Sequence, residues 1–138
     1  MLIVDAGPLY AAAARGDRHH SACVNLLSTA PRPLLVPVLV VTEVAYLLGD
    51  RLGGDAEHAF AASLERGELV AAPVATADWS RVVSLLSEYA DMRLGTVDAS
   101  LIALAERLDI TTIASLDRRH FAVVRPRHVD SLTLVPDV

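Results

Sequence analysis

Four acidic residues stand where an α/β chain could bring them together. Asp5 directly follows the apolar run Leu2-Ile3-Val4, and Asp117 lies just past Thr112 to Ser115. Ligands of open α/β sheets collect beyond the carboxyl ends of the strands, near the point where strand order reverses, so both carboxylates belong at that edge. Glu43 falls early in the helix expected after Leu34 to Val36, and Asp98 in the first turn of a helix opened by Thr96. Carboxylates held a few ångströms apart repel and raise one another's pKa unless a cation neutralises them. A divalent metal supplies that compensation. With oxygen donors, one cysteine and no paired-His motif, the expected ion is hard Mg²⁺ or Mn²⁺ rather than Zn²⁺.

Each acid also has a structural reading. Asp5 and Asp117 suit turn or cap positions after strands, Asp98 complements a helix dipole, and Glu43 suits a solvated helix face. Jointly these readings weaken, because Glu43 sits inside Val41-Thr42-Glu43-Val44-Ala45, where a buried unpaired acid is costly.

The elements that must position these groups follow from pattern and punctuation. Leu2 to Val4 reads as a strand, with Pro8 in the first turn of a helix reaching Ala14. A helix over His20 to Leu27 ends at Pro31-Arg32-Pro33, and Leu34 to Val36 reads as a buried strand. The following helix presents Val38, Val41, Ala45 and Leu48 as its apolar face, leaving Glu43 off that stripe. Asp55 is the expected N-cap of Ala56 to Arg66, which Gly67 ends. Leu69 to Ala72 reads as a strand, and Thr76 caps a helix from Ala77 to about Ala90 with Val82, Val83, Leu86 and Tyr89 inward. Thr96 caps Val97 to Leu108, whose buried face is Leu101, Leu104, Ala105 and Leu108; Thr112 to Ser115 and Leu132 to Val135 complete the strands. Continuously apolar strands alternating with helices predict a three-layer α/β/α domain with a mainly parallel central sheet.

At 138 residues the chain reads as one domain, residues 1–138. Its 53% hydrophobic content against 21% charged residues excludes disorder for most of it. The longest strongly apolar run, Leu34 to Val41, is far short of a membrane span. Asp5 within the first apolar stretch and the lack of a basic n-region argue against a secretory signal, so a cytoplasmic protein is expected. The lone Cys23 excludes an internal disulfide. A net charge of −5 is the wrong sign for a protein that coats nucleic acid, so contact with RNA would need local basic patches. All twelve basic residues are arginine. The absence of lysine argues against a P-loop, Schiff-base chemistry and a phospho-aspartate receiver domain; Gly7 likewise disfavours an Asp-x-Asp phosphatase.

Taken in order, Leu2-Ile3-Val4-Asp5, Val41-Thr42-Glu43-Val44-Ala45, Asp98-Ala99-Ser100-Leu101-Ile102-Ala103-Leu104-Ala105 and Ser115-Leu116-Asp117-Arg118-Arg119-His120-Phe121 closely resemble PIN-domain ribonucleases of the VapC toxin family. The likeness spans nearly the whole chain. It departs at Ala6-Gly7-Pro8, where many relatives carry a hydroxyl after the first acid, and at Ser115, which replaces their Thr but keeps its hydroxyl. The resemblance implies that Asp5, Glu43, Asp98 and Asp117 are the metal-site acids. It also implies Mg²⁺-dependent endonucleolytic cleavage of RNA leaving a 5′-phosphate and a 3′-hydroxyl, with a small VapB-like antitoxin as partner. A noncatalytic PIN-fold module that binds RNA or protein is the alternative.

Arg118, Arg119, Arg125 and Arg127, with His120 and His128 interleaved, form an expected phosphate-binding rim, of which Arg118 and Arg119 are nearest the last acid. Arg15, Arg18, His19 and His20 form a possible second rim, and Asp91 a possible fifth acid. The apolar composition of a small domain, like the resemblance, predicts a homodimer, with Ala56 to Leu64 and its Phe60 as one candidate face.

Overall fold

The computed structural model describes residues Met1 to Val138. Its five strands are β1 (Leu2–Val4), β2 (Leu34–Pro37), β3 (Val70–Ala72), β4 (Thr112–Ala114) and β5 (Thr133–Val135). All pair in parallel in the order β3-β2-β1-β4-β5. The chain builds outward from β1 through β2 to β3, then crosses back to place β4 on the other side of β1. That reversal opens a crevice at the carboxyl ends of β1 and β4, the strands that Asp5 and Asp117 follow. Every residue of β1 and β2 is buried, as strands covered on both faces require, whereas the edge strands β3 and β5 are partly exposed.

Seven helices complete the α/β/α sandwich: α1 (Ala6–Ala13), α2 (His20–Thr29), α3 (Val38–Arg51), α4 (Gly54–Glu65), α5 (Thr76–Glu88), α6 (Thr96–Leu108) and α7 (Arg118–Val123). The helix α1 packs on α2 and α3, α3 packs on α4, and α5 pairs with α6. The three-layer parallel architecture is the expected one. Helix α7 is an addition, because Arg118-Arg119-His120 gives a six-residue segment no apolar periodicity.

Several local expectations are corrected. The buried stripe of α3 is Val40, Val44 and Leu48, while Val38 is exposed and Val41 and Ala45 are only partly covered. Four apolar residues open this helix, so its pattern fits more than one rotational phase; the direct joint to β2 at Pro37 selects one. Val83 and Leu108 are exposed, and Leu85 takes the inward place on α5. Phe60 is 8% exposed and belongs to the core, so it offers nothing to a dimer face. The N-caps are Gly53, Ala75 and Gly95 rather than Asp55, Thr76 and Thr96. At α5 the Asp78 carboxylate accepts the Ala75 N–H at 2.9 Å, which supplies the end group that a capping Thr would have supplied.

The element that matters most to the site is α6, in which all seven residues from Ala99 to Ala105 are buried. Small Ala99, Ala103 and Ala105 let neighbouring elements close around it. Its outer end is clamped to α5 by a bidentate pair, Arg81 Nε and Nη2 donating to Glu106 at 2.7 and 2.9 Å, with only 10% and 11% of these side chains exposed. The carboxylate also accepts the Arg127 N–H at 2.8 Å. Removing one partner of such a pair strands the other charge. Arg81→Met should therefore cost ~3 kcal/mol in denaturant unfolding. Adding Glu106→Gln, which still accepts from Arg127, should recover part of that loss; a double variant less stable than Arg81→Met contradicts this account.

Candidate active site

An open cleft of about 1410 Å³ lies over the carboxyl ends of the strands, and Asp5, Glu43, Asp98 and Asp117 all line it. Four separate segments contribute one acid each, and each is held differently.

Asp5 is the most constrained, at 8% exposure. Its N–H donates to the Ala114 carbonyl at 2.9 Å, extending the β1–β4 ladder by one rung. Oδ1 accepts the Ala6 N–H at 2.8 Å, capping α1, and Oδ2 accepts the Ser115 hydroxyl at 2.9 Å. Burial drives its pKa up to about 6, against the lowering effect of these two hydrogen bonds, with Asp98 and Glu43 adding to the rise. Asp98 sits in the first turn of α6, its carboxyl raised chiefly by burial and further by Asp117, and lowered by His120. Glu43 is the more open acid, on α3; partial desolvation raises it, and so does Asp98. Asp98 is thus the acid that couples electrostatically to each of the other three.

Asp117 opens α7, where its Oδ1 accepts the Arg119 N–H at 3.2 Å while its own N–H donates to Ser115 Oγ at 3.1 Å. Ser115 therefore links the first and last acids through one hydroxyl. Gly7 keeps these turns close: a Cβ there would stand 3.3 Å from Leu116 Cβ, tighter than ordinary contact. The capping and site readings of Asp5 and Asp117 are both realised.

His120, one turn into α7, donates from Nδ1 to Asp98 Oδ2 at 2.8 Å and lies 3.6 Å from Asp117 Oδ2. One donor atom from each of Asp98, Asp117 and His120 falls within 4.8 Å of the others. In an octahedral ion at about 2.1 Å, neighbouring donors stand about 3 Å apart and opposite ones about 4 Å, so this spacing fits a divalent cation. The buried, charge-disfavoured carboxyl of Asp5 beside them fits one too. The sequence reading placed His120 on the basic rim, and its pairing with Asp98 went unforeseen; the i, i+3 spacing from Asp117 was the available signal.

The basic residues divide. Arg118 and Arg119 line the cleft as expected, Arg118 through a bond to the Pro136 carbonyl and Arg119 with a side chain 88% exposed. Arg18 and His19 line it too, Arg18 Nε donating to His19 Nε2 at 3.1 Å. The remainder lie elsewhere. His20 Nδ1 pairs with the Ala11 carbonyl, and Arg15 borders a separate shallow pocket with Tyr10 and Leu52. Arg125 and Arg127 are held through their backbones to Tyr89 and Glu106, and His128 Nε2 donates to the Ile110 carbonyl. Asp91 is exposed on a short 3₁₀ turn outside the cleft.

The model of the PIN domain family matches residues 2–125. The chain belongs to the PIN-domain family. Ribonuclease VapC26 of Mycobacterium tuberculosis (strain ATCC 25618 / H37Rv) is 33% identical to this PIN domain over 135 residues, covering 98% of the chain and all of the relative. The crystal structure of VapC20 from the same species, a sarcin-ricin loop cleaving toxin, superposes with a TM-score of 0.82 at 22% identity, covering 94% and 99% of the two chains. FitAcB of Neisseria gonorrhoeae superposes with a TM-score of 0.73 at 13% identity, covering 99% and 97%. Both likenesses are of fold.

The raised carboxyl of Asp5 fixes a pH dependence for this PIN domain without metal. Its folded-state pKa is about 6 against an ordinary 3.8. The folded chain therefore holds the proton more tightly, and stability falls as pH rises between those values, by ~3 kcal/mol in all. In chelator at pH 7.5, Asp5→Asn should be more stable than wild type in urea unfolding, and the gain should vanish near pH 4. Equal stability of the two at pH 7.5 would remove the electrostatic penalty ascribed to Asp5.

Proposed function

We propose that this PIN domain, residues 1–138, is a Mg²⁺-dependent endoribonuclease toxin of the VapC type, neutralised by a small VapB-like antitoxin in the cytoplasm. The observation that carries the reading is the convergence of four carboxylates from four segments on one open cleft. A relative named as a VapC ribonuclease, matched over its whole length, supports it.

Asp5, Glu43, Asp98 and Asp117 would hold the ion. Bound there, Mg²⁺ supplies Lewis acidity at a phosphate oxygen and lowers the pKa of a coordinated water. The chain's own residues do the rest. Ser115 and the Ala6 N–H fix both oxygens of Asp5, so that carboxylate does not rotate away from the cleft. His120 orients Asp98 in the same manner. Arg119, free on the rim, is available to a phosphate oxygen, and Arg118 adds positive charge beside it. An all-acid cleft would repel RNA without these arginines.

The decisive experiment is cleavage of purified ribosomal and transfer RNA with Mg²⁺, with Mn²⁺ and with excess chelator. Asp5→Asn and Asp98→Asn should lose at least about 100-fold in rate while keeping native circular dichroism; Glu43→Gln and Asp117→Asn should be impaired. Added antitoxin should stop cleavage and lower Mn²⁺ affinity, as an antitoxin arginine takes the cation's place among the acids. Cleavage that persists in chelator overturns the metal mechanism. RNA binding with no cleavage under any condition favours the noncatalytic alternative.

A homodimer forms part of the proposal. Trp79 and Val83, one turn apart on α5, are 45% and 66% exposed, an apolar pair that a soluble surface seldom leaves bare. Light scattering at micromolar concentration should give twice the chain mass, and a monomer would refute it.

A further inference from the structure

One wall of the cleft carries a side chain that the metal chemistry does not use. On α3, Leu39, Thr42, Glu43 and Tyr46 all line the cleft at i, i+3, i+4 and i+7, a single face of the helix. Tyr46 is 72% exposed. The other two tyrosines are engaged: Tyr10 lies under the Arg51 guanidinium at 5.4 Å, and the Tyr89 hydroxyl accepts the Arg125 N–H at 2.9 Å. A large aromatic ring left open to water beside four acids is disfavoured as packing and as charge complement.

We infer that Tyr46 is a stacking platform for an unpaired nucleobase flanking the bond to be cut, which makes this PIN domain selective for RNA that is single-stranded at the cleavage site. The inference rests on the ribonuclease reading above. Residues three apart on a helix hold their Cβ atoms about 5–6 Å from each other, so a base on Tyr46 lies about one nucleotide step from Glu43 and the acids around Asp98. A tyrosine face accepts any base, because every base has a π-face. Bases inside a duplex already stack on their neighbours, and RNA readers reach instead for loops, bulges and ends. Arg18 and His19 also line the cleft and can meet the backbone beyond the stacked base. Tyr46 is thus a positioning residue: it touches the substrate away from the reacting phosphorus.

The test separates stacking from general adhesion. In full-length Asp98→Asn protein with Mg²⁺, fluorescence anisotropy would measure the affinity for a labelled 12-nucleotide oligoadenylate, for its duplex with oligouridylate, and for an abasic 12-mer with the same backbone. Tyr46→Ala should weaken binding to single-stranded oligoadenylate by about tenfold, Tyr46→Phe should retain it, and Tyr46→Leu should behave as Tyr46→Ala. The abasic strand should bind as weakly to the Tyr46 protein as oligoadenylate binds to Tyr46→Ala, with no further loss when both changes are combined. The duplex should bind less well than the single strand. Unchanged affinity in Tyr46→Ala, or equal losses on abasic and normal strands, overturns the stacking role. So does unchanged RNA affinity accompanied by lost self-association, which would make Tyr46 a protein contact. A wild-type protein that neither binds these strands nor cleaves RNA fails the ribonuclease reading instead.

Discussion

The arrangement of this PIN domain follows from one constraint: four like charges must be kept close together by a chain that gains nothing from their proximity until a cation arrives. Burial raises Asp5, Asp98 and Glu43, and the neighbouring acids raise them further. Left to themselves, such side chains would swing into water. The structure prevents this by mounting each acid on a different rigid element and by binding the carboxylate oxygens before any ligand does. Ser115 is central to that restraint, since its hydroxyl donates to Asp5 and accepts from the Asp117 N–H.

Rigidity of the mounts is a matter of packing. Asp98 stands at the start of a helix that is buried all round over seven residues, and the far end of that helix is tied to α5 through Arg81 and Glu106. Asp5 continues a central strand that is fully buried on both faces. The two least constrained positions, Glu43 and the arginine rim, are those that face incoming substrate. Tight support for the metal-facing acids and latitude at the rim is a sensible division for a site that must hold one small ion and a large flexible polymer.

What the sequence made legible, and what it hid, has a consistent physical basis. The apolar runs Leu2 to Val4 and Leu34 to Val36 announce central strands because nothing polar can sit on either face. Acids that immediately follow such runs are placed by topology alone, which is why Asp5 and Asp117 could be located at the sheet's edge. Helical phase was less legible: α3 opens with four apolar residues, and only the joint to β2 turns Val40 and Val44 inward. The direction of a side chain in a loop or short helix was least legible of all. Arg125 and Arg127 share a sequence neighbourhood with Arg119, yet backbone bonds to Tyr89 and Glu106 hold them outside the cleft. The Asp98–His120 pair joins residues 22 apart that no local rule connects.

Asp5 and Asp117 each close the first turn of a helix with the same carboxylate that faces the cleft. Glu43 and Asp98 have no such duty to their helices. Selection on this fold therefore acts on the four acids unequally. In a copy of the gene released from the demand for catalysis, folding alone would still favour Asp, Asn or Ser at positions 5 and 117, while positions 43 and 98 would be free to drift. A homologue that keeps only its helix-opening acids is then better read as a retired enzyme than as one caught half-way to a new activity.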